Sequence, residues 1–392
     1  MVSNPGKFQF LKNIHREAIP GLILLAVAIL AMVLANGSLS EVYFSIVNFK
    51  IGSLTLQLWV NDALMVIFFF MVGMEIKREL IQGELNSVKK ATLPLAAALG
   101  GMIFPALIYV YFNPQAPNLS GWGIPMATDI AFALGTLSLL GQRVPKSLVI
   151  FLMALAVIDD LGAILVIAFF YTSQIKILAL GLASLGLMAI LVMQFLKIKN
   201  YGFYIIIGIA IWSAFLISGV HATIAGVLIG LLTPIRFSDS KRTDGHYSPI
   251  NELVHWLHPW SSYAIMPMFA FFNAGVALGD IHFGELISHP INQGVLLGLF
   301  AGKTIGISLF CLLAVKLGLA ALPKGAQWSH VTGVAMIAGI GFTMSLFISS
   351  LALSPELEIY SKTGILMGSI LAAIVGFTFL RFYPHKISGS NH

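Results

Sequence analysis

The chain has 392 residues, of which 58% are hydrophobic and only 10% are charged, and its formal net charge is +6. Soluble domains have about 25% charged residues, so this composition excludes a soluble protein with a single membrane anchor. Lysines and arginines lie between apolar stretches, which indicates a membrane protein rather than a nucleic-acid-binding protein. The single cysteine, Cys311, lies in an apolar run and excludes a disulfide-based fold.

Hydropathy predicts an all-α polytopic membrane protein, with one transmembrane domain over residues 1–392. About 20 apolar residues cross a bilayer as a helix, and on this criterion the chain has twelve predicted transmembrane helices. They cover residues 18–36, 59–81, 91–112, 121–140, 147–171, 175–196, 201–219, 221–235, 256–278, 291–314, 329–350 and 358–381.

Positive charge indicates the orientation of these spans. With a cytoplasmic N-terminus, 18 of the 22 lysines and arginines fall in cytoplasmic segments, three fall outside, and Lys303 lies within the membrane. Because cytoplasmic loops carry the excess of positive charge, both termini are predicted to be cytoplasmic.

Residues 45–58, on the outer side, are predicted to form a small β-hairpin. Segments 47–51 and 54–58 flank Gly52-Ser53, which suits a two-residue turn. An exposed strand edge can pair with a second copy of the chain, which makes the hairpin a candidate dimer contact. An irregular interfacial loop is the alternative.

Four ionisable residues lie well within the predicted spans: Asp129, Asp159, Asp160 and Lys303. A charge at the bilayer centre costs roughly 2.5–3.5 kcal/mol on insertion scales, and such residues usually serve ion or proton transport. Successive helical residues point about 100° apart, so one acid of the adjacent pair could face a cavity and the other a helix. Carboxylate and hydroxyl oxygens suit hard cations such as Na+, Li+, Mg2+ or Ca2+.

Two spans carry signals for an interrupted helix. Pro125 precedes Thr128 and Asp129 in one, and Gly339 and Gly341 precede hydroxyl residues in the other. Proline removes a helical hydrogen bond, and non-helical backbone within a membrane is tolerated only where protein buries it or it lines a cavity.

Interrupted spans in corresponding places are typical of inverted-repeat transporters, and residues 91–171 and 291–381 are the candidate repeats. The half-helix ends carry partial charges, positive at N-termini and negative at C-termini. Asp129 could offset such an end or ligate a cation directly. Lys303 could offset an end or form a salt bridge with either acid of the adjacent pair.

Seven stretches, in order along nearly the whole chain, match one family pattern: WVNDAL (59–64), VGMEIKRE (72–79), ATDIAF (127–132), FLMALAVIDDLG (151–162), SGVHAT (218–223), LHPW (257–260) and GIGFTMS (339–345). With them the chain resembles the NhaA family of bacterial Na+/H+ antiporters. The resemblance implies twelve helices, two crossing interrupted helices, a homodimer joined through the outer hairpin, and a location in the bacterial inner membrane.

The resemblance also implies residue roles. Asp160 and Asp159 would exchange a cation, Na+ or Li+, and protons, with Thr128 and Asp129 at the crossing beside Lys303. The family's pH-sensing cluster would map onto Glu75, Arg78, His255 and His258, with His221 more distant. The family has a glutamate directly before the first of these histidines; here that position is Val254, and Glu252 lies two residues earlier.

The alternative for Glu75 and Arg78 is an ordinary i,i+3 ion pair at a helix end. The alternative for His255 and His258 is that they are ordinary polar residues at the membrane boundary, with no role in sensing pH. The expected function is electrogenic, pH-regulated export of Na+ or Li+ in exchange for H+, with no cofactor and no enzymatic activity. An ion-coupled solute symporter is one alternative. An intramembrane aspartyl protease pairing Asp129 with Asp159 or Asp160 is another, although that chemistry has no need of Lys303.

Overall fold

The computed structural model describes residues 5–172, 175–198, 200–235, 237–238, 246–279 and 282–383, and most of them are helical. The helices are α1 (Pro5–Asn36), α2 (Ser40–Val47), α3 (Leu56–Trp59), α4 (Met65–Ile81), α5 (Val88–Phe112), α6 (Ile130–Ser138), α7 (Lys146–Phe170), α8 (Ile177–Phe195), α9 (Tyr201–Ser218), α10 (Thr223–Leu232), α11 (Pro249–Trp260), α12 (Met266–Ala274), α13 (Phe283–Ser288), α14 (Pro290–Leu297), α15 (Lys303–Lys316), α16 (Trp328–Ile337), α17 (Phe342–Ala352) and α18 (Pro355–Phe382).

Shorter helical turns and strands join these helices. The 3-10 helices cover Glu84–Asn86, Asn118–Met126 and Gly141–Arg143, and π-helical turns cover Val60–Leu64, Ser261–Ile265 and Gly298–Gly302. Two antiparallel strand pairs occur in the described part of the chain: β1 (Lys50–Ile51) with β2 (Leu54–Thr55), and β3 (Phe237–Ser238) with β4 (His246–Tyr247). The second pair was not predicted.

The polytopic membrane class is confirmed. Among the described residues, seven helices are long and apolar enough to cross a bilayer: Ala18–Asn36, Leu56–Ile81, Val88–Phe112, Lys146–Phe170, Ile177–Phe195, Pro290–Lys316 and Pro355–Phe382. The bent pair α16 and α17, which meet at 48°, makes an eighth if it is counted as one span. The total of twelve spans stays a prediction, because the others are short or interrupted.

The outer hairpin is present, but its strands are shorter than predicted. Lys50 pairs with Thr55 and Ile51 with Leu54, around a turn in which Gly52 has a φ of +67°. The remaining residues of segments 47–51 and 54–58 include the end of α2 and the start of α3. Thr55 explains the second boundary, because its hydroxyl accepts from Leu58 N at 3.3 Å and caps α3.

The chain separates into two compact units. Unit 1 comprises residues 1–44, 84–163 and 273–392, and unit 2 comprises residues 45–83 and 164–272. In unit 1, α5 packs against α15 through facing glycines. A Cβ added at Gly100 would lie 2.1 Å from Gly306 O, and a Cβ added at Gly306 would lie 2.1 Å from Gly100 O. Such small-residue contacts let membrane helices approach closely, and this one positions the helix that begins at Lys303.

Unit 2 has its own apolar core between α8, α9 and α10. Its buried members are Ala183, Ile190, Ile211, Phe215, Ile224 and Ala225. At one end of this unit, the Lys77 ammonium donates to the carbonyl oxygen of Thr233 at 2.8 Å, which ties α4 to the end of α10.

Candidate ion-binding site

The first interruption lies between the 3-10 helix ending at Met126 and α6. Pro125 is inside the 3-10 helix, and Ala127 and Asp129, which flank Thr128, have extended backbone angles. Asp129 ends the interruption as the N-cap of α6, where its Oδ1 accepts from Phe132 N at 3.0 Å. The non-helical stretch therefore follows Pro125 by two residues.

The second interruption lies between α16 and α17, over residues 338–341. The two interruptions are hydrogen-bonded to each other: Asp129 N donates to Ile340 O at 2.7 Å. A Cβ added at Gly341 would lie 3.1 Å from Ala127 O, so the two backbones also make a close contact. The chain thus brings two non-helical segments together within unit 1.

Asp129 is fully buried and serves both half-helices at this junction. Besides Phe132 N in α6, its carboxylate accepts from Thr343 N at 3.2 Å and from the Thr343 hydroxyl in α17. A carboxylate stabilises the positive N-terminal ends of helices. This geometry favours the offsetting role among the two alternatives considered for Asp129.

Asp159, Thr128 and Lys303 form a buried cluster beside the junction. The Lys303 ammonium donates to Asp159 Oδ2 and, at 2.5 Å, to the Thr128 hydroxyl. The Thr128 hydroxyl lies 2.6 Å from the same Asp159 oxygen and 3.0 Å from Ala338 O. The salt bridge of Lys303 is therefore with Asp159, which distinguishes between the two partners that the sequence left open.

Asp160 follows Asp159 on α7 and is equally buried, with 2% of its surface exposed. Its charge acts on Lys303 although the salt bridge is made by Asp159. Asp159 Oδ1 is buried and has no hydrogen-bond partner in the described residues. The two carboxylates and the Lys303 ammonium together leave a net negative charge when all three are ionised, which is suitable for a cation.

A cation here would have only hard oxygen ligands, which Na+ and Li+ accept. Within the described ranges, no group of three or more histidine, cysteine, aspartate or glutamate residues is placed to hold a metal ion. Carboxylates of Asp159 and Asp160 would have to be supplemented by hydroxyl or carbonyl oxygens. Such a site suits a transported ion better than a tightly held one.

The candidate pH-sensing residues lie in unit 2, on two helices that pack together. Glu75 and Arg78 lie on α4, and His255 and His258 lie on α11. Arg78 and His255 are close enough to His258 for their charges to act on it, and Arg78 also acts on Glu75. Arg78 therefore interacts with Glu75 on its own helix and with His258 on the neighbouring helix.

Two further candidates are Glu252 and His221. Glu252 is exposed in the first turn of α11, whereas Val254 is buried, with 4% of its surface exposed. His221 lies between α9 and α10, where its Nε2 is 2.8 Å from Tyr171 O. Glu252 lies one turn before His255 on α11, whereas His221 lies outside both helices of the cluster.

A second buried ion pair was missed in the sequence. Lys362 Nζ lies 2.6 Å from Glu358 Oε2 one turn earlier in α18, and only 9% of the Lys362 surface is exposed. Lys362 lies in the second turn of α18, near the start of the predicted span 358–381. The i,i+4 spacing of opposite charges was the available signal.

Another cavity lies in unit 2, away from this cluster. It measures about 610 Å3 and is lined mainly by apolar side chains of α4, α8, α9, α10 and α11. No carboxylate lines it, so the buried cluster in unit 1 remains the candidate site.

Membrane-spanning helices, two interrupted helices in contact and a buried cluster of carboxylates with a lysine define a secondary ion transporter. The family model described as Na+/H+ antiporter 1 matches residues 11–380. The chain belongs to this family of antiporters, and the aspartyl protease alternative is thereby excluded.

The chain is also similar to curated relatives named Na(+)/H(+) antiporter NhaA. The relative from Enterobacter sp. (strain 638) is 49% identical over 396 residues, covering 97% of this chain and 99% of the relative. The relative from Escherichia coli O139:H28 is 48% identical over 388 residues, covering 95% and 98%. The relative from Citrobacter koseri is 46% identical over the same length.

Proposed function

We propose that this chain exports Na+ or Li+ from the cytoplasm in exchange for protons, and that Asp160 and Asp159 carry both kinds of ion. The observation that carries the proposal is the buried cluster of Asp159, Asp160, Thr128 and Lys303 beside two interrupted helices. Membership of the Na+/H+ antiporter family and relatives of that name support it.

The proposed mechanism is competition for the same carboxylates. A cation needs ionised Asp160 and Asp159, and it competes there with protons and with the Lys303 ammonium. If two protons are exchanged for each Na+, every cycle moves one net charge, and a negative-inside potential supplies about 2.3 kcal/mol per 100 mV. Exchange would then be electrogenic.

Alternating access would arise from movement of the candidate repeats, residues 91–171 and 291–381. Each consists of a long helical segment, an interrupted pair and another long helix: α5, the Asn118–Met126 helix with α6, and α7; then α14 with α15, α16 with α17, and α18. This correspondence supports an inverted repeat around a midplane site.

Further proposals follow from the orientation of charge and from the family. We propose twelve spans with both termini in the cytoplasm, a location in the bacterial inner membrane, and a homodimer joined through the outer hairpin. Activity would be regulated by pH through Glu75, Arg78, His255 and His258, with Glu252 and His221 as further contributors. The proximity of His258 to Arg78 and His255 supports this cluster.

Replacement of Asp160 by asparagine tests the transport site. Asparagine keeps the size of the side chain but cannot exchange a proton or carry the charge that a cation needs. We expect Asp160→Asn to reduce Na+- and Li+-dependent proton movement to background in everted membrane vesicles, measured with a fluorescent ΔpH probe over pH 6.5–9. Asp62→Asn, in a membrane-spanning helix of unit 2, is the matched control and should retain exchange.

Normal exchange by Asp160→Asn at equal protein levels would reject the assignment of this carboxylate. Comparing Na+, Li+, K+ and Ca2+ in the same vesicles determines ion selectivity. Proton movement that appeared only after an organic solute was added would instead identify an ion-coupled symporter.

A further inference from the structure

A second cavity, in unit 1, lies directly against the junction of the interrupted helices. It measures about 320 Å3. Its walls come from α1, the segment around Leu278, α13, α18 and the first turns of α6 and α17. Asn36 Oδ1 accepts from Leu278 N at 2.9 Å and holds one end of the cavity to α1.

The inner wall is an aromatic pair next to the candidate ion site. Phe132 and Phe342 make an edge-to-face contact with ring centroids 5.9 Å apart. Phe132 N donates to Asp129, and Phe342 N donates to the Ser369 hydroxyl at 3.1 Å. An occupant of the cavity would therefore pack against residues in the first turns of both half-helices.

The lining selects an apolar occupant. Most lining residues are aliphatic or aromatic, and the two hydroxyls among them already have partners. Thr363 donates to Ile359 O at 2.8 Å, and Ser369 accepts from Phe342 N. A polar or charged ligand would lose its hydration without gaining hydrogen bonds, whereas a hydrocarbon loses nothing.

The surroundings identify the source of that hydrocarbon. Ile29, Val33 and Ile370 line the cavity and also have exposed side chains, so the cavity opens on the outer surface of α1 and α18. Both helices are membrane-spanning, and the solvent at their surface is lipid. We infer that this cavity binds one acyl chain of a bilayer phospholipid, which packs on the Phe132–Phe342 pair and supports the junction.

Photolabelling tests the inference on the full-length protein. The protein is reconstituted in phosphatidylethanolamine and phosphatidylglycerol liposomes containing a phosphatidylethanolamine with a diazirine in its acyl chain, irradiated, digested and analysed by mass spectrometry. Peptides covering residues 25–33 and 363–370 should be labelled several-fold more than α8. Because only 17% of the α8 window is buried, α8 reports contact with the general lipid annulus.

Two variants should reduce labelling of the cavity peptides. Ala28→Phe places a ring in the cavity from a buried position on α1. Val33→Trp covers its exposed opening without changing a buried residue, and so serves if overpacking at residue 28 prevents folding. Ala26→Phe, on the exposed side of the same helix, is the matched control and should leave labelling unchanged.

Na+/H+ exchange is measured in the same liposomes. A variant that loses labelling but still exchanges ions is folded, so its loss of labelling is not caused by misfolding. Labelling no stronger than that of α8, or unchanged in both cavity variants, would overturn the inference. Labelling that appeared only after dimers were dissociated would also overturn it, because a second copy of the chain would then be the occupant.

Discussion

At the scale of residues, Thr128 occupies a position where one hydrogen atom has two possible acceptors. Its hydroxyl lies within hydrogen-bond distance of both Asp159 Oδ2 and Ala338 O, and it also accepts from Lys303. A threonine hydroxyl donates only once. The hydroxyl can donate either to the Asp159 carboxylate or to the backbone carbonyl of Ala338, just after α16. A change in the charge of Asp159 therefore alters whether the hydroxyl donates to the backbone at the junction.

Thr128→Val and Thr128→Ser test this role. Valine has a similar shape but leaves the buried charges without a hydroxyl, which costs about 1–3 kcal/mol. We expect the valine variant to raise the apparent KM for Na+ roughly tenfold, since about 1.4 kcal/mol corresponds to that factor. The serine variant should remain near the unmodified protein. The measurement is the Na+ dependence of exchange in everted vesicles.

Equal loss in both Thr128 variants would show that the methyl group, and thus packing, matters rather than the hydroxyl. Equal retention would show that the hydroxyl contributes nothing to ion binding.

Much of the candidate site was visible in the sequence, because charges in apolar spans stand out energetically. The pairing was not visible. Lys303 and Asp159 are 144 residues apart, and Thr128 is 31 residues from Asp159, so their contacts depend on how distant helices pack. Thr343 was noted only as one of two hydroxyl residues near glycines; its bond to Asp129 needed the fold.

At the scale of elements, glycine and proline predicted where helices are interrupted, but local capping decided the boundaries. Asp129 begins α6 and Thr55 begins α3 by accepting backbone N–H groups. The Thr55 cap shortens the second strand of the predicted hairpin, and the Asp129 cap sets where the first interruption ends. Helix and strand propensities alone do not predict which side chain will accept a hydrogen bond from a backbone N–H group.

The contact between α5 and α15 leads to a prediction about stability. Gly306→Ala places a Cβ against the backbone of Gly100, and the helix that carries Lys303 must shift. Overpacking typically costs about 1–3 kcal/mol, so we expect a lower Tm in detergent and slower exchange. Thermal unfolding followed by fluorescence-detected size-exclusion chromatography measures the first effect.

Gly181→Ala is the matched control, because Gly181 is an exposed helical glycine with no atom within 4 Å of an added Cβ. Alanine there should leave Tm unchanged or raise it slightly. A Gly306→Ala protein with the same Tm as this control would contradict the prediction, because α5 and α15 could then move apart without loss of stability.

At the scale of the whole molecule, composition alone predicted a polytopic membrane protein, and family membership agrees. The number of spans was harder to assess, because short helices such as α6 and α10 pass no length criterion. The division into two units could not be predicted either. Both units are assembled from segments that are separated in the chain.

The outer hairpin gives a prediction about assembly. Replacing residues 50–55 with two glycines removes both strands and keeps Phe49 and Leu56, which are joined by a 2.8 Å backbone hydrogen bond. We expect a shift from dimer to monomer in detergent, measured by light scattering, with exchange retained because the candidate ion site lies in unit 1. Ser53→Ala, in the turn, is the control and should remain dimeric.

A dimer of unchanged mass at every concentration would show that another surface holds the two copies together. Loss of exchange together with dimerisation would instead make assembly a requirement for transport.

The capping of two half-helices by Asp129 also bears on how the protein is made. Its carboxylate needs donors from Thr343, 214 residues further along the chain. During synthesis α6 enters the membrane as a nine-residue helix capped by an acid whose α17 donors do not yet exist. The ion site is thus among the last parts of the protein to form, and a ribosome that stops before residue 343 leaves that acid without its α17 donors.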